Sequence, residues 1–257
     1  MTRINDRQVL RLHSLGMQYH RIPATTTFPE LFERFVQAIL PQNLADAAYL
    51  RLQAMGRYAS ANAGEAILED GDQDQIVFVA QGATKLVAHA SGGREQVVAF
   101  HFEGDLVPVS ARGAHSYTLS ALRDCELIAF PAAEFLGLAR SEPGLLNEVL
   151  DRVVTSLRRS REKSITLGRK TAQERVAGFL VTMAERIGTP EDGGCLLHLP
   201  MSRRDMADSL GLTIETISRQ LTELREAGLI ETSGRSDVHL CDIATLQARA
   251  GHLAAVV

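Results

Sequence analysis

The spacing of apolar residues changes repeatedly along the chain, and each change predicts a different element. From Phe28 to about Arg57 the apolar positions Phe28, Leu31, Phe32, Phe35, Ile39 and Leu40, then Leu44, Leu50 and Leu52, recur at helical spacing, with Pro41 dividing them into separate helices. Between Met55 and Pro131 the texture shifts to short runs, AILEDG, QIVFVAQG, TKLVAHASGG, QVVAFHFEGD, YTLSA and CELIAFP. Gly64, Gly71, Gly82, Gly92, Gly93 and Gly104 punctuate them where turns are needed, which predicts a small antiparallel β-sandwich or roll capped by the preceding helices. A roll of this size has room for a small ligand.

Past Pro131 the pattern turns helical again. Leu146, Leu150, Val153 and Leu157 follow alternating four- and three-residue steps, and Ser160, Ser164 and Leu167 continue the seam, a heptad pattern that predicts a helix pairing with a second copy. The competing explanation is one long surface helix packed on its own domain. Gly168 is expected to end it, and RKTAQERVAGFLVTMAERIG gives a further amphipathic helix with Val176, Phe179, Leu180 and Met183 inward. GTPEDGG at 188–194 reads as a loop and CLLHL as a short strand.

The next thirty residues, MSRRDMADSLGLTIETISRQLTELREAGLI, read as a helix-turn-helix. A first helix is expected from Ser202 to Ser209, a turn at Gly211, and a second helix with Thr213 as N-cap. Ala207, Gly211 and Ile217 supply the small residue, the left-handed turn and the apolar anchor that let two helices cross closely. LIETSGRSDVHL then predicts two strands around a Ser-Gly-Arg turn, a wing with Arg235 at its tip, and DIATLQARA a closing helix. The expected organisation is α+β: a polar tail over 1–27, a β-roll with flanking helices over 28–142, a dimerisation helix over 143–167 and a winged helix-turn-helix over 168–257.

Burying Ile217, Leu221 and Leu224 turns the opposite face of the second helix outward, and that face carries Glu215, Ser218 and Arg219. Each has a base-edge role in a major groove: Arg219 forks onto guanine O6 and N7, Glu215 accepts from a cytosine amine, and Ser218 bonds a base or a phosphate. A solvated helix face is the plainer reading. A carboxylate facing DNA is costly unless it reads a donor, so this trio carries more information than a basic run. Ser202, Arg203, Thr213 and Thr216 at the two helix starts, with Arg235, complete the expected contacts to double-stranded DNA.

The net charge of −4 agrees with this only once the chain is divided: residues 1–150 carry −5 and residues 151–257 carry +1. Apolar content of 45% is ordinary for a soluble globular protein, no stretch reaches the roughly 20 apolar residues of a membrane span, and the N-terminus lacks the apolar run of a signal peptide, so a cytoplasmic location is expected. Cys125, Cys195 and Cys241 are scattered, which supports neither disulfides nor a zinc site. His13 and His20 read as solvated tail residues.

Taken together, the chain resembles the CRP/FNR superfamily of bacterial transcription regulators over nearly its full length after the tail. REQVVAFHFEGDLV at 94–107, LGRKTAQERVAGFL at 167–180 and LTIETISR at 212–219 bring it closest to the FNR and FixK-type branch. The resemblance implies a homodimer on a palindrome of TTG…CAA-type half-sites, contact with RNA polymerase, activation rather than enzymatic activity, and an apolar contact from Ile214 to a thymine methyl. It also exposes departures. Oxygen-sensing relatives hold an iron-sulfur cluster through N-terminal cysteines, and this N-terminus has none; Cys125 alone does not supply the four ligands required. Cyclic-AMP-binding relatives carry a carboxylate and a guanidinium at places taken here by Pro108, Val109, His115 and Ser116, which removes the charge-assisted contacts to ribose and phosphate. A redox thiol of some FixK-type proteins is replaced by Ser202. No cofactor or metal is therefore expected. The alternatives are a regulator gated by haem through His89, His101 or His115, by a nucleotide or by another small metabolite, and a cupin-like metal enzyme fused to a DNA-binding module, although these histidines are too dispersed for the usual cupin cluster.

Overall fold

The computed structural model of the chain describes residues 27–68, 73–90, 93–110, 116–191 and 193–251. The expectations for the tail at 1–26, with His13 and His20, and those for Gly71, Gly92 and His115 lie outside the described residues.

Helices α1 (Phe28–Ile39) and α2 (Asp46–Met55) flank the roll as the apolar spacing predicts. A capping box starts α1: the Glu30 carboxylate accepts from the Thr27 amide at 2.8 Å and Thr27 faces back on the N3 backbone. Phe32 and Phe35 on α1 pack with Phe78, Phe130 and Phe135 in a buried aromatic cluster between the helices and the roll. Leu50, expected on the apolar side of α2, is instead 61% exposed.

The roll consists of two four-stranded antiparallel sheets with strand orders β1-β8-β3-β6 and β2-β7-β4-β5. Its strands are β1 (Arg57–Ala61), β2 (Ala66–Leu68), β3 (Gln75–Gln81), β4 (Ala83–Ala90), β5 (Arg94–Phe102), β6 (Leu106–Val109), β7 (Ser116–Ala121) and β8 (Cys125–Pro131). Six were legible as apolar runs. β1 was not, because RYASA has no alternation, and β6 was not, because LVPV is short and contains a proline, which is accommodated on an edge strand. Val77, Val79, Val107, Val109, Leu119 and Leu127 fill the space between the sheets. Gly82 joins β3 to β4 with φ +92°, and a Cβ there would lie 2.5 Å from the Asp124 carbonyl oxygen, so only glycine fits.

After α3 (Ala132–Ser141), the long helix α4 runs unbroken from Pro143 to Arg169. Gly168 does not end it, contrary to expectation; one glycine near a helix end costs only about 1 kcal/mol. Its polar side grips the roll: the Arg152 guanidinium donates to the carbonyls of Ala38 (2.9 Å) and Gly104 (3.2 Å), and the Lys163 ammonium to those of Val97 (2.7 Å) and Val98 (2.9 Å). Leu150, Val153 and Leu157 of the heptad seam, with Val154 and Ile165, remain 49–64% exposed. Seating of that stripe on the chain's own domain is thereby excluded. Leu146 is half-buried, Ser160 and Ser164 are exposed, and Leu167 lies against the turn at Gly211 within the same chain.

The C-terminal part comprises α5 (Ala172–Ile187), β9 (Thr189–Glu191), β10 (Gly194–His198), α6 (Arg203–Leu210), α7 (Ile214–Glu226), β11 (Ile230–Ser233), β12 (Asp237–Leu240) and α8 (Ile243–Arg249), with sheet order β11-β12-β10-β9. The segment expected as a plain loop contains β9, which pairs with β10 through backbone bonds that its polar sequence does not advertise. Its core is not closed on itself. Val87, Val97, Phe100 and Phe102 of the roll's β4–β5 hairpin belong to the same buried cluster as Phe179, Leu180 and Leu210, with the Phe100 and Phe179 rings 6.0 Å apart.

Candidate nucleic-acid interface

Two capped helices build the surface. Ser202 is the N-cap of α6: its Oγ accepts from the Asp205 amide at 3.2 Å, while Asp205 Oδ2 accepts from the Ser202 amide at 2.8 Å and hydroxyl at 2.6 Å. α6 ends at Gly211 in the left-handed conformation, φ 62° and ψ 42°. α7 begins at once, with Thr213 Oγ1 accepting from the Thr216 amide at 3.2 Å. Ala207 and Ile217 are buried at the crossing, and Leu221 and Leu224 continue the inward stripe.

That burial fixes which side chains of α7 face out. Glu215 and Arg219 are exposed and Ser218 is half-buried beside them. Arg219, with 67% of its side chain exposed, makes one loose ion pair with Glu223 at 3.8 Å. Glu215 is held below the usual carboxylate range by its own backbone N–H and then by the Thr213 hydroxyl, so at neutral pH it only accepts hydrogen bonds. Ile214, Thr213 and Ser202 are exposed, Arg203 and Thr216 half-buried, and Arg235 stands exposed next to Gly234 in the β11–β12 turn. The two threonines bond each other as well, with 3.1 Å between hydroxyl oxygens, so their first role is capping.

The same surface extends past the expected residues. Thr222 and Arg225 follow Ser218 at i+4 and i+7 on α7, and Thr232 approaches from the wing strand β11. Helical spacing alone points to the first two; the third comes from the wing's fold.

Behind the surface, α6 is bound to the roll. Lys85 on β4 donates to Asp205 Oδ1 at 2.6 Å, Gln96 on β5 donates to the Asp208 carbonyl, and Lys163 on α4 reaches Ser209 Oγ at 3.1 Å. Burial alone would raise the Asp205 carboxyl; the bonds from Lys85 and Ser202 outweigh it and hold it below the ordinary value. Burial lowers the Lys163 ammonium to about 8. Arg175 on α5 closes the corner, donating to the carbonyls of Lys170, Leu210 and Leu167, each at 2.9 Å. These satisfy orphan carbonyls at the ends of α4 and α6.

Among the described residues, the histidines and the cysteine of the roll do not converge. His89 bonds Thr118 Oγ1 at 2.8 Å and lies 3.5 Å from Glu95, whereas His101 is half-buried, with its Nδ1 buried and unpartnered, and is pushed down to about 4 by desolvation. Cys125 is buried and its thiol is raised to about 11, again by burial. Among the described residues no group of three or more His, Cys, Asp or Glu is arranged to hold a metal ion, and no helix is long and apolar enough to cross a membrane.

Comparison with known proteins matches residues 174–249 to the Crp-like helix-turn-helix domain and residues 59–142 to the cyclic nucleotide-binding domain. The chain is 34% identical to the nitrogen fixation regulation protein FixK of Bradyrhizobium diazoefficiens over 72% of its own length and 79% of that protein's. It is 32% identical to the transcriptional activator protein FnrL of Cereibacter sphaeroides, covering 78% and 83% of the two chains. The solved structure of FixK2 from Bradyrhizobium japonicum superposes with a TM-score of 0.68 at 30% identity, covering 77% of this chain and 99% of that one.

Proposed function

This chain belongs to the CRP/FNR family of transcription regulators, in its FNR/FixK branch, and we propose that it acts in the cytoplasm as a homodimeric activator on palindromes of TTG…CAA-type half-sites. The observation that carries this reading is the outward trio Glu215, Ser218 and Arg219 on a helix whose opposite face is buried. Arg219 reads guanine, Glu215 its partner cytosine, and Ile214 a thymine methyl; Ser202, Thr213, Thr216 and Arg235 lie where sugar-phosphate contacts are made. Two such surfaces one helical turn apart require a two-fold dimer. The exposed stripe of Leu150, Val153, Val154 and Leu157 supplies the apolar area for it, with α4 pairing against α4. RNA polymerase is the expected protein partner at promoters.

Activity is set by abundance or by a partner protein rather than by a cyclic nucleotide or an iron-sulfur cluster. In support, Val109, at a position where nucleotide-binding relatives place a contact residue, is packed into the apolar interior of the roll. The test is binding of the purified protein, without added effector, to a half-site library at stated salt. Arg219→Ala is expected to lose selection for the guanine and Glu215→Ala to relax preference at the cytosine, each by roughly 1–3 kcal/mol of discrimination. Unchanged preference in both variants would overturn the assignment of α7.

A further inference from the structure

A cleft of about 220 Å³ opens beside α7, lined by Arg203, Ser218, Leu221, Thr222, Arg225 and Thr232. Its lining comes from three elements: the first residue of α6, α7 from Ser218 of the base-reading trio to Arg225, and the wing strand β11. Two guanidiniums and three hydroxyls meet there over one apolar residue, Leu221, which is buried and forms the floor. Neither guanidinium is engaged: among the described residues, the side chains of Arg203 and Arg225 make no hydrogen bond or ion pair. That contrasts with Arg152, Arg175 and Arg186, each of which donates to two or more acceptors in the chain. The acidic residues nearest the lining in sequence are Asp205, Glu223, Glu226 and Glu231; Asp205 is taken up by Ser202 and Lys85, Glu223 accepts from Gln220 at 2.9 Å and pairs with Arg219, and Glu226 and Glu231 are exposed. Strand alternation projects Glu231 to the face opposite Thr232, away from the cleft.

Two unpaired guanidiniums facing a pocket edged by hydroxyl donors make a site for a tetrahedral oxyanion, because the planar forks match phosphate oxygens and the hydroxyls complete the set. We propose that this cleft holds a backbone phosphodiester of bound DNA, with Arg225 and Arg203 as its cationic walls and Thr222 and Thr232 as neutral donors. The inference rests on the reading of α7 as the base-reading helix and adds what fixes its depth and register: a phosphate gripped between α7 and the wing, carrying no sequence information of its own. It gives Arg225, Thr222 and Thr232 a role that the base-reading trio does not cover.

The experiment measures DNA affinity of the full chain from low to high salt, on a TTG…CAA duplex and on a random-sequence duplex of equal length. For Arg225→Ala the plot of log affinity against log salt should become shallower by about 0.9 per cleft, so by roughly two for a dimer, on both duplexes alike. Half-site preference should stay as in the unaltered protein, unlike that of Arg219→Ala. Arg225→Lys should recover most of the slope and only part of the affinity, since it keeps the charge and loses the fork. Replacing backbone phosphates one at a time with neutral methylphosphonates should find a position where the unaltered protein and Arg225→Ala bind equally well. An unchanged slope in Arg225→Ala, or an altered base preference, would overturn the proposal. So would a cleft that takes free anions instead, seen as stabilisation by millimolar inorganic phosphate that Arg225→Ala abolishes while its DNA slope stays intact. Should the protein bind both duplexes equally, the base-reading assignment fails and the slope difference still decides the cleft; should it bind neither at any salt, both fall.

Discussion

The charged side chains on the two sides of the helix-turn-helix are used in opposite ways. On the outer side Arg219 holds one 3.8 Å pair, and Arg203 and Arg225 have no partner among the described residues. On the inner side, Asp205 is held by Lys85 and Ser202, Lys163 spans three oxygens, and Arg175 ties three carbonyls together. A saturated charge is a structural part, since removing it strands the groups it satisfied. A charge with spare donors on a surface is free to bind something else. The contrast separates residues that hold the surface in place from residues that act through it.

Arg175 offers the strongest way to break that contrast. Arg175→Ala leaves carbonyls at the ends of α4 and α6 without donors, and the expected loss is on the order of 3–5 kcal/mol of unfolding free energy. Thermal or urea unfolding followed by circular dichroism reads it directly. A loss below about 1 kcal/mol would show that water replaces the guanidinium and that the corner is not structural.

His101 comes next, and it is measured by pH. Burial lowers its pKa to about 4 from an ordinary 6.5, with Asp105 opposing and Arg186 and Arg159 reinforcing the shift. Between pH 6.5 and 4 the unfolded chain binds the proton and the folded chain does not, so stability falls as pH drops through that window. The full cost is on the order of 3 kcal/mol, and above pH 6.5 the group has no effect. Carboxylates such as Asp205 also titrate on acidification, so the comparison is between the unaltered protein and His101→Gln. The variant should lose less stability between pH 7 and 4; parallel curves would mean that water reaches the imidazole.

Lys85 and Asp205 give a smaller effect and a sharper one, because they sit on the roll and on α6 respectively. A double-mutant cycle with Lys85→Met and Asp205→Asn should return a coupling of roughly 1–2 kcal/mol. Lys85→Met alone should leave base preference unchanged. A coupling near zero would mean that this pair adds nothing to the join between the roll and the helix-turn-helix, which then rests on the Phe100 and Phe179 cluster and on the bonds from Gln96 and Lys163.

This division explains what was legible from residue spacing. Both helices, the turn at Gly211, the N-cap Thr213 and the outward trio depend on residues within four or five positions of each other, and period and capping rules reach that far. Lys85 meets Asp205 across 120 positions and Gln96 meets Asp208 across 112, distances at which no spacing rule operates. Arg175 and Lys163 therefore looked like any other charge on a helix. β1 and β6 were missed for a related reason: they are strands because β8 and β3 lie beside them, not because their own residues alternate. The solvent-facing stripe of α4 was legible as a heptad, but its polar side, bound to roll carbonyls through Arg152 and Lys163, was not.

The smallest expected effect is the most informative, and it concerns the outer side. Arg219→Ala removes an exposed i,i+4 pair with Glu223, which in a helix contributes about 0.3–0.5 kcal/mol. Stability should change by no more than that, which shifts the midpoint of thermal unfolding by at most a degree or two for a chain of this size. The same substitution is expected to remove guanine selection, so one variant would be nearly silent by calorimetry and severe by DNA binding. Asp205→Asn should do the reverse, since its carboxylate is spent on the N-cap of α6 and on Lys85. If Arg219→Ala destabilised the fold by more than about 1 kcal/mol, Arg219 would belong with the saturated charges, and the division between holding and reading would not run between the two sides of this motif.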